Sequence, residues 1–401
     1  MWSSALDRFL KGFVRQGHLS VTYPSGRVHV YRGDAPGPDI SVALKDFALV
    51  RHLVLSPEMA VGEAYSDGRL TIEQDDLEGF LRLCIANVAA QGKNWTKRPM
   101  HVLRYLRRRA AQFNPATRAR DNVAHHYDLS GALYDLFLEP DRQYSCAYFQ
   151  RPDMTLEEAQ AAKKAHIARK LLLEPGMRVL DIGCGWGGMG LTLARDYGAQ
   201  VVGVTLSEEQ HRMARHRARE AGLEDRVDFR LMDYRSVDGQ FDRIVSVGMF
   251  EHVGVPHYEE YFDKIRRLLK EDGAALVHTI GRAKPPGTTN PWIDKYIFPG
   301  GYVPALSEMS RAVEDAGLIA TDVEVWRLHY AETLRHWYDR FMENLAEARA
   351  LYDEQFCRMW RYYLKASELT FRLDRQVVFQ MQLARSQDAV PLTRDYLYGR
   401  N

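Results

Sequence analysis

The stretch Arg178–Gln210, RVLDIGCGWGGMGLTLARDYGAQVVGVTLSEEQ, decides the fold of this chain. It opens with a short β-branched run that carries Asp181 near its end. Gly183, Gly185 and Gly187 follow, and glycines allow the backbone to turn tightly and to approach a ligand closely. GMGLTLARDYG then has apolar residues at helical spacing, and AQVVGVT has the composition of a buried strand. The stretch therefore predicts a strand, a glycine-rich turn, a helix and a second strand, with a nucleotide-sized ligand at the turn.

The charges around the turn indicate which ligand it takes. Gly183, Gly185 and Gly188 also match the dinucleotide-binding pattern, but the Asp181 carboxylate would repel a pyrophosphate docked on the helix N-terminus. The second strand ends in Thr205, where a dinucleotide site usually has an acidic residue. S-adenosylmethionine (SAM) has no phosphate, and its ammonium and sulfonium suit a nearby acid, while Gln210 offers amide groups to its ribose. SAM is therefore favoured, and a purely structural glycine turn is the alternative.

Composition limits the class of protein. The 401 residues are enough for one large or two ordinary domains. A hydrophobic content of 46% with 27% charged residues is typical of a folded soluble protein, and a net charge of +1 does not indicate nucleic-acid binding. No apolar run is long enough to span a bilayer, and the amphipathic start is not that of a signal peptide. Four scattered cysteines suit a reducing cytosol, and no metal site is predicted.

Three segments are predicted along the chain. Residues 1–95 form a small α/β domain for packing, dimerisation or lipid contact, in which HLSVTYP and RVHVYRG form a hairpin and GDAPGPD is a loop. Residues 96–120 form a basic linker with eight Lys or Arg residues and an apolar stripe if helical. Such a helix lies either on anionic lipid or in solvent between domains. Residues 121–401 form the catalytic domain, a doubly wound sheet in which a long helix is capped at Thr155.

Polar residues follow the predicted strands of this sheet. In such sheets ligands bind beyond the carboxyl ends of the strands. Five polar residues fall at predicted strand ends: Asp181, Thr205, Asp233, Glu251 and His278. A lone His278 would usually be a core histidine and a lone Glu251 a helix-start acid, but both at neighbouring strand ends beside a SAM turn favour an active site.

Aromatic residues are concentrated after the sheet. They occur in PWIDKYIFPGGYVP and through residues 326–379. Most are expected in the core because they recur at helical spacing. A subset is predicted to line an apolar tunnel, where aromatic faces stabilise a developing cation.

Motifs spread over nearly the whole chain carry a resemblance. They are GEAYSDG, HHYDLS, QYSCAYF, VLDIGCGWGG, VGVTLSEEQ, FDRIVSVGMFEHVG, LVHTIG, PWIDKYIFPGG and HYAETLRHW. Together they resemble the cyclopropane fatty acid synthases, SAM-dependent enzymes that act on membrane phospholipids. The resemblance implies a Rossmann-like class I methyltransferase sheet with a helical, aromatic-rich acyl-binding insertion and a small N-terminal α/β domain.

The resemblance also implies a reaction and a site. In that family a cis double bond of an acyl chain attacks the SAM methyl group, and a base removes a proton from the added methyl of the resulting carbocation, so that a ring closes. The family's base is bicarbonate, which Glu251, His278 and Tyr330 would hold through side chains, and Cys146 and Ile280 through backbone groups. The implied SAM contacts, with Asp181 added from its charge, are Tyr144, Ser145, Asp181, Gly183, Gly185, Thr205, Leu206, Gln210, Asp233 and Tyr234.

One departure and several alternatives remain. Ser367 stands where the family often has a cysteine, so a thiol there is not essential in this chain. Related enzymes leave a methyl or methylene branch instead of a ring, and a non-catalytic lipid-binding protein is a hypothesis of another class. The expected partners are phospholipids with unsaturated acyl chains. The protein is expected to be cytoplasmic and to bind the inner face of the cell membrane peripherally, through the basic linker. A homodimer is possible, and nucleic acid is not expected.

Overall fold

The computed structural model describes residues 1–91, 112 and 131–398. Apart from Gln112, the predicted basic linker 96–120 lies outside these residues, and so does the HHYDLS motif. The described helices are α1 Trp2–Phe13, α2 Phe47–Leu55, α3 Pro57–Ser66, α4 Leu77–Gln91, α5 Gly131–Asp135, α6 Leu156–Lys170, α7 Gly188–Tyr197, α8 Glu208–Glu220, α9 Tyr258–Leu268, α10 Pro291–Tyr296, α11 Leu306–Asp315, α12 His329–Glu343, α13 Leu345–Leu351 and α14 Glu354–Leu373. The strands are β1 Gln16–Thr22, β2 Val28–Arg32, β3 Ala35–Leu44, β4 Leu70–Ile72, β5 Arg178–Ile182, β6 Gln200–Thr205, β7 Val227–Leu231, β8 Phe241–Val247, β9 Leu269–Arg282, β10 Ile319–Trp326 and β11 Gln376–Ala384.

The chain divides into two compact units that differ from the predicted domains. The first draws its described residues from Met1–Arg107, Thr288–Ile297 and Leu334–Arg375, and the second from Arg108–Gly287, Phe298–Thr333 and Gln376–Asn401. Much of the aromatic-rich segment thus belongs to the first unit, because α14 packs on α3 and α4 there. Its Leu369 shares a buried cluster with Leu49 and Phe80. Several aromatic side chains of these segments are core, as predicted, since Trp292, Trp326, Trp337 and Trp360 are fully buried.

The first unit contains a four-stranded sheet in the order β2-β1-β3-β4. β1 and β2 form the predicted antiparallel hairpin. The loop prediction for GDAPGPD is wrong, because β3 already begins at Ala35 and pairs parallel to β1. The two strands cross closely at two glycines: a Cβ at Gly37 would lie 2.7 Å from the backbone nitrogen of Gly17. Because both positions lack a side chain, the backbones can approach and pair.

The second unit is built on a seven-stranded sheet, which confirms the predicted α/β fold. Its order is β10-β11-β9-β8-β5-β6-β7. β5 to β9 run parallel, and β11 runs antiparallel to both β9 and β10. Alternate residues of β5 enter different cores, since Leu180 and Ile182 join one cluster and Val179 another. Burial on both faces explains why these strands read as continuous apolar runs. None of the described helices combines the length and apolar composition that a bilayer crossing requires.

α6 is capped at Thr155, as the sequence predicted, and the structure shows that the cap is a reciprocal capping box with Glu158. Thr155 Oγ1 accepts a hydrogen bond from the Glu158 N–H at 3.2 Å, and a Glu158 carboxylate oxygen accepts from the Thr155 N–H at 2.9 Å. We expect Thr155→Ala to lower the free energy of unfolding by about 1 kcal/mol, because one helix N–H loses its acceptor. Urea unfolding measures this. Thr155→Ser keeps the hydroxyl and should retain most of the stability; an equal loss in both variants would contradict the capping role.

Candidate active site

The glycine-rich turn joins β5 to α7 in backbone conformations that favour glycine. Gly183, Gly185 and Gly187 have φ angles of +79°, +54° and +86°. A Cβ at Gly187 would lie 2.7 Å from the Phe229 ring, whereas a Cβ at Gly185 would meet nothing within 4 Å. The turn is therefore packed on one side, while the space beside Gly185 is open to a ligand.

An open cavity lies beside this turn. Its walls are the segment 142–145, the glycine turn, the ends of β6 and β7, and the residues that follow β8. All ten residues proposed from the sequence for the cofactor line it: Tyr144, Ser145, Asp181, Gly183, Gly185, Thr205, Leu206, Gln210, Asp233 and Tyr234. The structure thus brings together residues that are separated by up to 90 positions in the chain.

Asp181 is the buried acid of this cavity. It lies within β5 and is 2% exposed. Its Oδ2 has no hydrogen-bond partner among the described residues. Burial raises the pKa of Asp181 to about 7, and the positive charge of Lys163 opposes this shift. A buried carboxyl with a free oxygen in a cavity wall fits a cationic ligand such as the ammonium of SAM.

The other polar residues of the cavity are held by neighbours. The Thr205 hydroxyl donates to Gln210 Oε1 at 2.9 Å, and Ser207 caps α8 by accepting from the Gln210 N–H. Asp233 accepts two hydrogen bonds from the Arg235 guanidinium, at 2.7 and 2.8 Å. The charge of Asp233 is therefore paired, whereas that of Asp181 is not.

Glu251 occupies a short 3-10 turn, Phe250–His252, that follows β8. Its Oε1 accepts a hydrogen bond from the Ile280 N–H at 2.7 Å. Its Oε2 is buried and has no partner of hydrogen-bonding geometry among the described residues. Burial raises the pKa of Glu251 to about 7, against the lowering effect of the Ile280 N–H and of the Thr279 hydroxyl. The carboxyl is therefore poised between its neutral and charged forms near neutral pH.

His278 lies inside β9, which continues to Arg282, so its predicted position at a strand end is wrong. It pairs with Val247, the last residue of β8, and therefore still lies at the carboxyl edge of that strand. Its Nδ1 accepts a hydrogen bond from Gln380 Nε2 at 3.0 Å, which leaves the proton on Nε2. Burial lowers the pKa of His278 well below its usual value. The ring is thus a neutral donor, and its edge meets Trp326 at a centroid distance of 5.2 Å.

The remaining candidates are Cys146, Ile280 and Tyr330. Cys146 is fully buried, and burial raises the pKa of its thiol, so the thiol is uncharged. Ile280 lies two residues after His278, on the same face of β9. Tyr330 is buried at the start of α12.

The catalytic candidates adjoin the cavity without forming its described wall. Among the described lining residues, none is Cys146, Glu251, His278, Ile280 or Tyr330. Their neighbours do line it: Ser145 precedes Cys146, Met249 and His252 flank Glu251, and Val247 pairs with His278. Cys146, Glu251 and His278 therefore adjoin the wall around Ser145, Val247 and Met249, and the Ile280 N–H is bonded to Glu251.

Sequence reasoning missed several residues at the site. Arg142, Gln143, Trp186 and His252 also line the cavity. Behind them lies Lys163, which is fully buried on α6. The helical pattern of α6 concealed Lys163, because a lysine in a charged helix is normally solvated. One feature of the sequence pointed to Lys163: it lies on a helix whose apolar stripe is incomplete.

The chain is similar to known proteins over most of its length. The family model for mycolic acid cyclopropane synthetase matches residues 114–381. The cyclopropane-fatty-acyl-phospholipid synthase of Escherichia coli (strain K12) is 40% identical over 88% of this chain and 89% of that protein. The tuberculostearic acid methyltransferase UfaA1 of Mycobacterium tuberculosis is 36% identical over 94% of this chain and 90% of that protein. The crystal structure of mycolic acid cyclopropane synthase CmaA1 complexed with SAH and CTAB has 36% identity and a TM-score of 0.63, covering 68% of this chain and 99% of that one.

Proposed function

The chain belongs to the mycolic acid cyclopropane synthetase family, and we propose that it transfers the methyl group of SAM to a cis double bond in a phospholipid acyl chain and closes a cyclopropane ring there. The observation that carries this proposal is the cavity that is lined by all ten proposed cofactor residues and adjoins the half-buried Glu251 and the buried His278. Similarity to a phospholipid synthase over most of both chains supports the substrate class.

SAM, when bound, supplies an electrophilic methyl group. In the proposal the glycine turn admits the cofactor at Gly185, where the structure leaves open space. Asp181 faces a cationic group of the ligand with its unpartnered Oδ2, while Thr205 and Gln210 take the ribose. These residues would bind and orient the cofactor.

Bicarbonate, when bound, supplies a base for the proton of the added methyl group. The residues fit such an anion: His278 offers an Nε2–H, and Glu251 has a buried Oε2 and a pKa raised to about 7, so it also donates when protonated. A protein carboxylate used directly as the base would be alkylated by a carbocation, whereas a small anion is exchangeable. In this structure the Ile280 N–H is already donated to Glu251, which orients that carboxyl.

The proposal is tested with purified protein, SAM, bicarbonate and vesicles whose phospholipids carry cis-monounsaturated acyl chains. Mass-resolved fatty-acid analysis should show a product one methylene heavier without a double bond, and its fragments should show a ring. The same added mass with a retained alkene would instead establish a branching methyltransferase. That second candidate is favoured by the similarity to UfaA1 over 94% of this chain. Absence of product in the presence of bound SAM would support the lipid-binding alternative.

We also propose that the protein is cytoplasmic and binds the inner face of the membrane through its basic linker. Changing Arg107, Arg108 and Arg109 to Gln should weaken binding to anionic vesicles about 100-fold at low salt, since each basic residue contributes about 1 kcal/mol. Vesicle co-sedimentation measures this. The matched triple change to Lys keeps the charge and should bind as the unmodified protein does. Equal binding by the Gln variant at low salt would refute the role of the linker. The implied homodimer remains a prediction, which light scattering tests.

A further inference from the structure

The wall segment 143–145 of the cavity is held from behind by two side chains of α6. Lys163 Nζ donates to Gln143 Oε1 at 2.7 Å and to Ser145 Oγ at 2.8 Å. One turn away, Gln160 Nε2 donates to the carbonyl oxygens of Gln143 and Ser145, at 3.1 and 2.9 Å. Gln143 and Ser145 both line the cavity, so the polar face of α6 determines where this wall lies.

Glu139 also binds the wall segment 143–145, through the backbone of Gln143. Its Oε1 accepts a hydrogen bond from the Gln143 N–H at 2.9 Å, and the side chain is buried. Burial lowers the pKa of Lys163 and raises that of Glu139, and the attraction between the two opposite charges opposes both shifts. The ammonium and the carboxyl therefore stabilise each other behind the wall, and neither is exposed to bulk water.

The position of the Lys163 ammonium also connects the two halves of the site. Its charge opposes the rise in pKa that burial causes in Asp181 and in the Cys146 thiol, and it adds to the lowering of the His278 pKa that burial causes. Asp181, Cys146 and His278 are all fully or almost fully buried, so these charge effects are only weakly screened by solvent. Lys163 is thus a buried cation between the cofactor wall and the catalytic group.

If α6 only packed against the sheet, an aliphatic residue would suit the buried position 163 better than a lysine. Burying an ammonium costs free energy, and the cost is recovered only when its N–H groups are satisfied. Here two of its donors are spent on side chains that line the cavity. This arrangement favours a role toward the ligand over a role in packing.

We propose that Lys163 is a positioning residue for the cofactor, which acts by fixing Gln143 and Ser145 in the wall of the cavity. This inference rests on the proposed function for the identity of the cofactor. Through the same hydrogen bonds Lys163 keeps the Ser145 hydroxyl and the backbone of the segment in place when the cavity is empty. The wall is thereby preorganised, and binding does not have to order it.

The test compares Lys163→Met and Lys163→Gln with unmodified protein. Calorimetric titration gives the Kd of S-adenosylhomocysteine, and steady-state assays give kcat and KM for SAM. Lys163→Met should raise Kd and KM about 10- to 100-fold, because two charge-assisted hydrogen bonds to the wall are lost, while kcat falls less. Lys163→Gln keeps one donor and should recover part of the affinity. Lys170→Met is the matched control. Lys170 is as deeply buried on α6 as Lys163, but it pairs with Glu324 at 2.6 Å, and neither Lys170 nor Glu324 is among the described lining residues of the cavity.

The pH dependence of ligand affinity is a second measurement, which a role of Lys163 in packing alone would not affect. In the unmodified protein, ligand affinity should rise as Asp181 loses its proton near pH 7, and it should fall as Lys163, which Glu139, Asp141 and Lys164 influence, loses its own proton at higher pH. Lys163→Met should lack the second component of this profile. Unchanged Kd in a folded Lys163 variant, or an equal loss in Lys170→Met, would overturn the inference. If Lys163→Met does not fold, the Kd of folded Lys163→Gln decides. Unmodified protein that binds the ligand but makes no lipid product would overturn the proposed function and leave this inference standing, whereas failure to bind the ligand would overturn both.

Discussion

Changing Glu251 to Gln should lower kcat for product formation at least about 100-fold, while the Kd of S-adenosylhomocysteine stays within about twofold. The glutamine keeps the size of the side chain, and its amide oxygen still accepts from the Ile280 N–H, which now binds Oε1 at 2.7 Å. What disappears is the titratable carboxyl, whose Oε2 faces no described partner. Glu251 is not among the described residues that line the cofactor cavity, so the change should lower turnover without weakening cofactor binding. Single-turnover assays with pre-bound cofactor measure the loss.

Stability provides the control for this variant. Burial raises the pKa of Glu251 from 4.5 to about 7, so between these values the folded protein holds a proton that the unfolded chain has lost. Stability therefore falls as pH rises through this window, by at most about 3 kcal/mol, because the side chain is only half-buried and solvent screens part of the effect. Glu251→Gln lacks this titration and should be more stable than the unmodified protein above pH 7, and about equal to it near pH 4.5. A variant that loses both stability and turnover at high pH would show that Glu251 is structural.

Changing Asp181 to Asn should raise the Kd of SAM about 10- to 100-fold. The carboxylate has a buried, unpartnered Oδ2 in the cavity wall, so a charge-assisted hydrogen bond to the ammonium of the ligand would be lost. Because SAM carries a sulfonium as well as an ammonium, it should lose at least as much affinity as S-adenosylhomocysteine. Calorimetry or equilibrium dialysis measures both ligands.

Asp233→Asn is the matched control for this charge. Asp233 lines the same cavity, but the Arg235 guanidinium already pairs with it at 2.7 and 2.8 Å. Removing a paired charge should change the Kd much less than removing an unpaired one. Equal losses in both variants would contradict a specific role for Asp181, and tight binding by Asp181→Asn would refute it outright.

The cofactor-binding half of the site could be predicted because short stretches of sequence determine it. The glycines of the turn, the apolar strands and the cap at Thr155 each act within a few residues, and all were found in the structure where the sequence indicated them. Parallel strands then bring their carboxyl ends to one edge, so chain-distant residues such as Asp181 and Asp233 line one cavity without any information on register.

The catalytic half required long-range information. Whether β9 stops at His278 or continues depends on its pairing with β11, a strand about 100 residues later. The bond between Glu251 and the Ile280 N–H depends on the register of β9 against β8. Lys163 was hidden for another reason: its buried partners lie in an irregular segment, for which the sequence offers no periodicity. The grouping of 334–375 with the first unit likewise depends on packing of α14, which helical spacing alone does not determine.

The antiparallel insertion of β11 has a consequence for synthesis of the chain. The described walls of the cofactor cavity come from residues 142–253, which leave the ribosome well before Gln376–Ala384. A nascent chain thus contains every described residue of that cavity while β9 still has an open edge and His278 lacks Gln380. The unit that contains the cavity also includes β11, so its sheet is complete only when β11 has paired with β9 and β10. The residues that line the cofactor cavity are therefore made before the strand that supplies the partner of His278.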